Sequence, residues 1–331
     1  MSEATLNGTS VQAAESSSRA SVLRRLRTGD LVFHGLTRAA AITVLVLLSG
    51  VILALIIGSA PALSTFGLSF ITTEVWNPVT DQFGALAPIY GTLVTSAIAM
   101  LIAVPVGLMI AFFLTELCPP MLRRPIAIAI ELLAGIPSII YGIWGLFVFA
   151  PFLQEHVQPF LIRTVGQLPV VGVLFAGPPF GIGILTAGLI LAIMVLPFIS
   201  SIMRDVFETV PPMLRESAYG LGCTTWEVVW RVVLPYTKVG VVGGIMLGLG
   251  RAMGETMAVT FVIGNAHRIT TSLMAPGTTI SSALANEFTE ASGETYQSSL
   301  IALGLILFVI TFIVLAAAKY MLIRMQRQAG S

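Results

Sequence analysis

Long apolar runs separated by short polar connections are the main feature of this sequence. Six runs are long enough for an α-helix, rising about 1.5 Å per residue, to cross about 30 Å of membrane hydrocarbon. They cover residues 39–59, 86–114, 126–150, 180–203, 239–264 and 299–318. Strands of a membrane barrel would instead alternate polar and apolar positions in pieces of about 10 residues. The pattern therefore predicts an all-α, polytopic bundle of six transmembrane helices.

Composition supports a membrane protein and excludes an ordinary soluble domain. Of the 331 residues, 56% are hydrophobic and only 10% are charged, whereas soluble domains carry roughly 25% charged residues. The two cysteines, Cys118 and Cys223, do not indicate a disulfide framework. The net charge of +1 gives no reason to expect nucleic acid as a partner.

The basic residues are distributed unevenly between the two sets of connections. Fourteen Lys and Arg residues lie in the termini and in the second and fourth connections, whereas Arg163 and Arg268 lie in the others and Arg251 lies inside the fifth run. Because cytoplasmic connections carry the excess of basic residues, we predict that both termini are cytoplasmic.

This topology divides the chain into four regions. Residues 1–38 form a cytoplasmic tail, of which 21–36 is either an amphipathic helix lying in the membrane interface or a basic anchor that only sets topology. Residues 39–85 hold the first helix and an external loop. Residues 86–320 form the membrane core, and 321–331 form a second cytoplasmic tail.

The fifth run contains glycines at helical spacing. Gly240, Gly244 and Gly248 form two GxxxG units, and Gly250 with Gly254 forms a third. Since this spacing lets helix backbones approach closely, we predict that this helix packs inside the bundle.

The fourth connection, residues 204–238, predicts helices rather than a loop. A first short helix is expected over 213–221, ended by Gly222. Thr224 and Glu227 have the spacing of a capping box and predict a second short helix directly after it. Both helices would project into the cytoplasm.

This connection resembles the EAA motif of the permease subunits of bacterial type I ABC importers. That motif reads Glu-Ala-Ala, three residues, Gly, nine residues, then Ile-x-Leu-Pro. The matching residues here are Glu216, Ser217, Ala218, Gly222, Val232, Leu234 and Pro235. Ser217 for Ala and Val232 for Ile are mild departures. The resemblance implies the MetI-like architecture of that family, in which such residues couple the permease to a separate ATPase subunit.

Three further segments resemble the PstC family of permeases from phosphate-specific ABC importers. They are "ELLAGIPSIIYGIWG" from Glu131, "RAMGETMAVTFVIGN" from Arg251 and "LMAPGTTISSALANEF" from Leu273. The last two favour PstC over its sister PstA. The resemblance, over about residues 87–318, implies a permease subunit for inorganic phosphate in a bacterial inner membrane. The implied partners are a PstA-like permease forming a heterodimer, a PstB-like ATPase dimer, a PstS-like phosphate-binding protein and membrane lipid.

The sequence shows no motif for catalysis or metal binding. The phosphate-cradling loop of an ATPase requires Gly-Lys followed by Ser or Thr, and neither Lys238 nor Lys319 has these neighbours. His34, His156 and His267 lack the spacing of metal ligands, so we expect them at the surface. We expect a subunit that is not an enzyme and has no cofactor, with ATP and Mg²⁺ bound by the partner ATPase.

Two opposite charges, Arg251 and Glu255, lie inside the fifth run. At positions i and i+4 they would share one helix face. An arginine at the bilayer centre costs about 2.5–3.5 kcal/mol on insertion scales, so a purely structural ion pair is one interpretation. The favoured interpretation is a transport path, in which the Arg251 guanidinium binds phosphate bidentately and Glu255 competes for it on release.

Other charged and amphipathic positions give weaker expectations. Glu131 is expected to reach the cytoplasmic interface or to pair with Arg124. On the opposite side, a spacing of four residues predicts a short amphipathic helix around residues 280–288 with Glu287 and Glu290 toward water. In the resembling family this external loop would contact the phosphate-binding protein.

Two alternatives to phosphate import stay open. One is the same architecture serving another oxyanion, such as sulfate or molybdate. The other is an ion-coupled secondary transporter working alone, against which the EAA-like connection argues.

Overall fold

The structure, a computed structural model, describes the backbone of residues 3–169 and 171–329 and the side chains of residues 30–169 and 171–324. Across that part of the chain, the regular secondary structure is helical, and a single isolated bridge joins Asn77 and Gln82. The all-α fold class is therefore confirmed.

Fourteen α-helices are found in the described ranges. They are α1 (Glu3–Phe66), α2 (Ser69–Thr72), α3 (Leu86–Phe112), α4 (Pro120–Ala134), α5 (Ser138–Trp144), α6 (Ala150–Phe152), α7 (Gln158–Thr164), α8 (Ile184–Glu208), α9 (Pro212–Gly220), α10 (Thr225–Val228), α11 (Leu234–Met253), α12 (Met257–Thr260), α13 (Ile280–Glu287) and α14 (Glu294–Ala329).

Short π-helical turns extend several of these helices or join them into longer ones. They are Phe113–Leu117, Gly145–Phe149, Leu153–Val157 and Val229–Val233. Six of the resulting helices are long and apolar enough to cross a membrane, which confirms the predicted number. They are Asp30–Phe66, Leu86–Leu117, Ser138–Gln167, Ile184–Glu208, Thr225–Met253 and Glu294–Arg324.

The bounds of three spans differ most from the sequence-based expectation. Helix α1 extends back to Glu3, well before residue 39, because no proline precedes Pro61 to interrupt it. The proposed interfacial helix at 21–36 rests largely on side chains outside the described residues. The third span begins at Ser138 rather than at 126, since the chain breaks after α4 at Gly135 and Pro137. The fifth span is Thr225–Met253 and not 239–264.

Contacts divide the chain into two units, Met1–Ile57 and Gly58–Ser331. In the first unit, large apolar side chains such as Leu45, Val46 and Leu47 are exposed. This exposure is what a helix surrounded by lipid acyl chains requires, because lipid is as apolar as a leucine side chain.

The core of the second unit is built around α8. Its fully buried side chains include Ile190, Leu191 and Ile199, and α3, α4 and α11 pack around it. Helix α8 begins beside the segment that leads to α13 and ends at the connection to α9. We call the two ends of this bundle the α13 end and the α9 end.

Candidate functional site

Arg251 lies in the last turn of α11, and its side chain is exposed. The guanidinium carbon is 5.4 Å from the centroid of the Phe198 ring. Phe198 lies near the middle of the membrane-spanning α8, so Arg251 lies at about half the height of the bundle. The position agrees with an arginine near the bilayer centre.

Two interactions stabilise the charge at this depth. The cation–π contact with Phe198 contributes about 0.5–2 kcal/mol. The C-terminal end of a helix also favours a cation, by about 0.3–1 kcal/mol at exposed sites. Among the described residues, no carboxylate forms an ion pair with Arg251.

The structure corrects the expectation that Glu255 shares a helix face with Arg251. Helix α11 ends at Met253 and Gly254 is its C-cap, so the two residues lie on either side of a break. Glu255 instead accepts a 3.4 Å hydrogen bond from the Ala258 backbone N–H at the start of α12. Periodicity placed both charges on one helix because the sequence at Gly254 carries no proline to mark the break.

A second break lies beside the first. The chain is interrupted between α4 and α5 at residues 135–137, and α5 packs against α12. A Cβ added at Gly142 would lie 3.0 Å from the Met257 carbonyl oxygen and 3.2 Å from the Ala258 Cα. A side chain at this position would push the α12 backbone away, so α5 and α12 approach each other closely through Gly142. Discontinuous helices near mid-membrane are typical of substrate sites in transport proteins.

Three of the predicted packing glycines lie against α8. A Cβ added at Gly240, Gly244 or Gly248 would lie 2.6, 2.9 and 2.8 Å from Val206, Ile202 and Ile199, respectively. Gly250 and Gly254 do not continue this row. Gly250 faces Leu315 of α14 at an ordinary 3.8 Å, and Gly254 has left the helix, which corrects the third GxxxG unit.

The EAA-like residues lie on α9 and just beyond it. Glu216 and Ser217 are exposed, whereas Ala218 is buried against the bundle. Gly222 ends the turn with φ of +84°. The Cys223 N–H bonds the Ala218 carbonyl and the Gly222 N–H bonds the Tyr219 carbonyl, which is the Schellman pattern of a helix stop.

The second predicted helix of this connection exists but is not separate. Thr224 and Glu227 form the capping box, and the helix then continues through the π-helical turn Val229–Val233 into α11. Leu234 and Pro235 therefore lie at the start of α11 rather than at a helix end. The helix runs on through Pro235, so the Leu-Pro pair does not stop it.

Two further charged contacts at the α9 end were not foreseen. Glu131 pairs with Arg204 of α8 at 2.9 Å, and not with Arg124. Glu116, in the π-helical turn after α3, pairs with Arg215 of α9 at 3.3 Å. In the sequence, Glu116 is an acid just beyond the end of the second apolar run, and its partner is far away along the chain.

At the α13 end, His267 and Glu287 correct the expectation of surface positions. His267 Nε2 lies 2.6 Å from Glu287 Oε1, and the imidazole stacks on Trp76 with ring centroids 5.0 Å apart. The Trp76 indole N–H and the Tyr296 hydroxyl both donate to Glu287 Oε2, at 2.6 and 2.7 Å. Burial raises the pKa of the Glu287 carboxyl, but the contacts with His267, Tyr296 and Trp76 outweigh it and hold that pKa below its usual value.

Helix α13 itself is formed over Ile280–Glu287, close to the predicted amphipathic helix. Across the described ranges, no group of three His, Cys, Asp or Glu residues is arranged to hold a metal ion. The structure thus offers two candidate functional features. One is the cation Arg251, beside the helix break at Gly254, and the other is α9 with the start of α11 at one end of the bundle.

The sequence matches a protein-family model described as the binding-protein-dependent transport system inner membrane component, over residues 103–327. Similar curated proteins are named "Phosphate transport system permease protein PstC". One, from Mesorhizobium japonicum, is 68% identical over 315 residues, covering 95% of this chain and 96% of its own. Another, from Pasteurella multocida, is 60% identical over 301 residues, covering 91% and 94%.

Solved structures of lower identity share the fold. A bacterial alginate ABC transporter, in complex with an alginate-bound periplasmic protein, aligns with a TM-score of 0.54 at 20% identity, covering 85% of this chain and 93% of the other. The inward-facing MetNI methionine ABC transporter aligns with a TM-score of 0.50 at 18% identity, covering 73% and 94%. The predicted MetI-like architecture is confirmed.

Proposed function

This chain belongs to the PstC family of phosphate transport system permeases, and on that premise we propose that it forms half of the path for inorganic phosphate across the membrane. It is a permease subunit of the phosphate ABC importer, a multi-pass membrane protein that transports phosphate. The observation that carries this conclusion is identity of 56–68% to PstC proteins over more than nine-tenths of the chain.

Arg251 is the residue proposed to meet phosphate. Its guanidinium is exposed near half-height, in the last turn of a span, and forms no ion pair with a carboxylate of the described residues. A guanidinium replaces part of the hydration that a phosphate loses on entering the membrane, and its planar fork matches two phosphate oxygens.

Glu255 is proposed to limit the lifetime of that complex. It follows Arg251 across the Gly254 break, so a rearrangement of two or three backbone residues changes the separation of the two charges. A carboxylate approaching Arg251 competes with phosphate for the same donors. Transport requires this competition because a site that binds too tightly does not release its ion.

Coupling to ATP hydrolysis is proposed to occur through α9 and the start of α11. The residues concerned are Glu216, Ser217, Ala218, Gly222, Leu234 and Pro235. In this proposal they dock on a PstB-like ATPase dimer that binds ATP and Mg²⁺, and the permease itself is not catalytic. A PstA-like subunit forms the other half of the path.

The α9 end is proposed to face the cytoplasm of a bacterial inner membrane, with both termini on that side. The basic excess of the connections at this end supports the orientation. The α13 end then faces outward, where a PstS-like protein delivers phosphate. This part of the proposal also rests on the EAA-like connection, because an ATPase can act only from the cytoplasmic side.

The decisive experiment is reconstitution of the complete complex in proteoliposomes with binding protein on the external side. We expect uptake of labelled phosphate that requires ATP inside the vesicles, and ATP hydrolysis stimulated by phosphate-loaded binding protein. Sulfate and molybdate, tested with the same complex, should not be taken up. Uptake driven by an ion gradient without ATP would contradict the ABC mechanism, and preferential uptake of another oxyanion would contradict the substrate.

A further inference from the structure

Helix α9 buries little surface against the membrane helices. Of its nine residues, Ala218 alone is buried, and even that residue is 8% exposed. Glu216, Ser217 and Tyr219 are exposed. Apolar packing therefore attaches α9 only weakly to the membrane helices. If α9 and these helices move together, polar contacts must hold them to each other.

Arg215 supplies such a contact. It is the basic residue of α9, and it turns inward, with a side chain only 19% exposed. Its Nη2 donates a 2.6 Å hydrogen bond to the Phe207 carbonyl in the last turn of α8. The same Nη2 lies 3.3 Å from Glu116 Oε1 in the π-helical turn that ends α3. One guanidinium thus connects three elements.

The Glu116 carboxylate is more deeply buried than any other acid in an ion pair of the described residues, with 5% of its side chain exposed. Its Oε1 accepts no hydrogen bond from the described residues, and Arg215 is its ion-pair partner among them. By comparison, the Glu131 side chain that pairs with Arg204 is 50% exposed. If the ions separate, water can hydrate the exposed Glu131 carboxylate but not the buried Glu116 carboxylate.

The helix ends that Arg215 joins are already packed on each other. Phe112 of α3 stacks on Phe207 of α8 with ring centroids 4.5 Å apart and planes 3° from parallel. Arg123 of α4 adds a 2.7 Å hydrogen bond to the Thr115 carbonyl in the same π-helical turn. The ends of α3 and α8 therefore form one block, to which Arg215 attaches α9.

We propose that Arg215 and Glu116 are positioning residues that transmit displacement of α9 to the ends of α3 and α8. If α9 moves and the block does not, a buried carboxylate loses its cation, so the pair favours joint movement. The inference rests on the proposed function, in that α9 is taken as the helix that contacts the ATPase.

The test uses the whole complex in proteoliposomes, with phosphate uptake and ATP hydrolysis measured in the same vesicles. Arg215→Gln leaves Glu116 unpaired and risks misfolding, so the informative variant is the double substitution Glu116→Leu/Arg215→Met. Replacing a buried ion pair with apolar residues usually preserves folding. Glu131→Gln, in the half-exposed pair, is the matched control.

We expect the double variant to assemble at normal abundance but to take up roughly tenfold less phosphate per ATP hydrolysed, a typical size for coupling between sites. Arg215→Lys keeps the charge but lacks the guanidinium that contacts both Phe207 and Glu116. Its ratio of phosphate uptake to ATP hydrolysis should lie between those of wild type and the double variant. Glu131→Gln should match wild type.

Two outcomes would overturn the proposal. If the double variant assembles with a wild-type ratio of uptake to hydrolysis, the pair is only structural. If Glu131→Gln lowers that ratio equally, the effect is not specific to the attachment of α9. Wild-type vesicles separate this inference from the proposed function, because their own failure to couple ATP hydrolysis to phosphate uptake would contradict the function itself.

Discussion

Arg251 and Glu287 show how differently single charges are accommodated in this chain. Arg251 has an aromatic ring and a helix end beside it but no carboxylate within the described residues, so its donors stay available. Glu287 is enclosed by Trp76, His267 and Tyr296, and its acceptor positions are used. The first arrangement suits exchange of a ligand, and the second suits a fixed contact.

Substitution of Arg251 should stop transport without stopping assembly. We expect Arg251→Gln to lower phosphate uptake at least about 30-fold, as for loss of about 2 kcal/mol from a paired ionic contact, with unchanged membrane abundance. Glu255→Gln should also reduce uptake, because an unopposed guanidinium retains the ion. Uptake and abundance are measured together, with exposed Arg124→Gln as the control. Normal uptake by the double variant Arg251→Gln/Glu255→Gln would show that the charges matter only to each other.

The Glu287 cluster should make the stability of the α13 end depend on acidity. The pKa of this carboxyl is lower in the folded protein than in the unfolded chain. Its contribution to the free energy of unfolding is therefore complete above the usual glutamate pKa of about 4.3. It is lost as pH falls through the lower folded value. We expect the apparent Tm of the purified protein to fall between about pH 5 and 3, and Glu287→Gln to flatten that part of the profile. Equal slopes for both proteins would argue against the cluster.

At the scale of elements, glycines serve two distinct purposes here. Helix α11 lies close to α8 at Gly240, Gly244 and Gly248, where a larger side chain would collide with α8. Gly222 has open space around its Cβ position, and its constraint is the positive φ of the turn after α9.

The Gly222 turn should be sensitive to backbone conformation and not to volume. A non-glycine residue in the left-handed region costs roughly 1–2 kcal/mol, and asparagine adopts it more readily than alanine. We expect Gly222→Ala to lower phosphate-stimulated ATP hydrolysis severalfold and Gly222→Asn to lower it less. Gly220→Ala, at the last residue of α9, should retain full activity. Should Gly220→Ala and Gly222→Ala behave alike, the φ argument is wrong.

Close packing of α11 on α8 offers a contrasting test. A valine at Gly244 would meet Ile202 at 2.9 Å, whereas Gly243 on the same helix has no atom within 4 Å of its Cβ position. Overpacking costs about 1–3 kcal/mol. We expect Gly244→Val to lower the apparent Tm by several degrees more than Gly243→Val does. Equal Tm values for the two variants would contradict the predicted close packing at Gly244.

For the whole molecule, a thiol reagent tests which end of the bundle faces the cytoplasm. Cys223, next to Gly222, is partly exposed at the α9 end, and Cys118 is buried. We expect a membrane-impermeant thiol reagent to leave Cys223 unmodified in intact cells and to modify it in inside-out vesicles. Cys118→Ala, with Cys223 as the remaining thiol, makes the signal unambiguous. Modification from outside would reverse the proposed orientation.

Much of this protein could be predicted from its amino-acid order, because the relevant physics is local. Six helices follow from the length of the apolar runs, since a backbone in lipid must satisfy its own hydrogen bonds. The helix stop at Gly222 and the capping box at Thr224 follow from the residues beside them. The EAA-like spacing likewise lies within one short segment.

Tertiary structure alone decided that a helix breaks at Gly254 and which charges meet. The break at Gly254 separates Arg251 from Glu255 and lies beside the close packing of α5 on α12, neither of which local periodicity contains. The pairs of Glu116 with Arg215 and of Glu131 with Arg204 join residues distant in sequence. The enclosure of Glu287 by Trp76 depends on the same kind of contact. A charge in a low-dielectric interior takes the partner that folding brings within reach, and only the packed chain determines which partner that is.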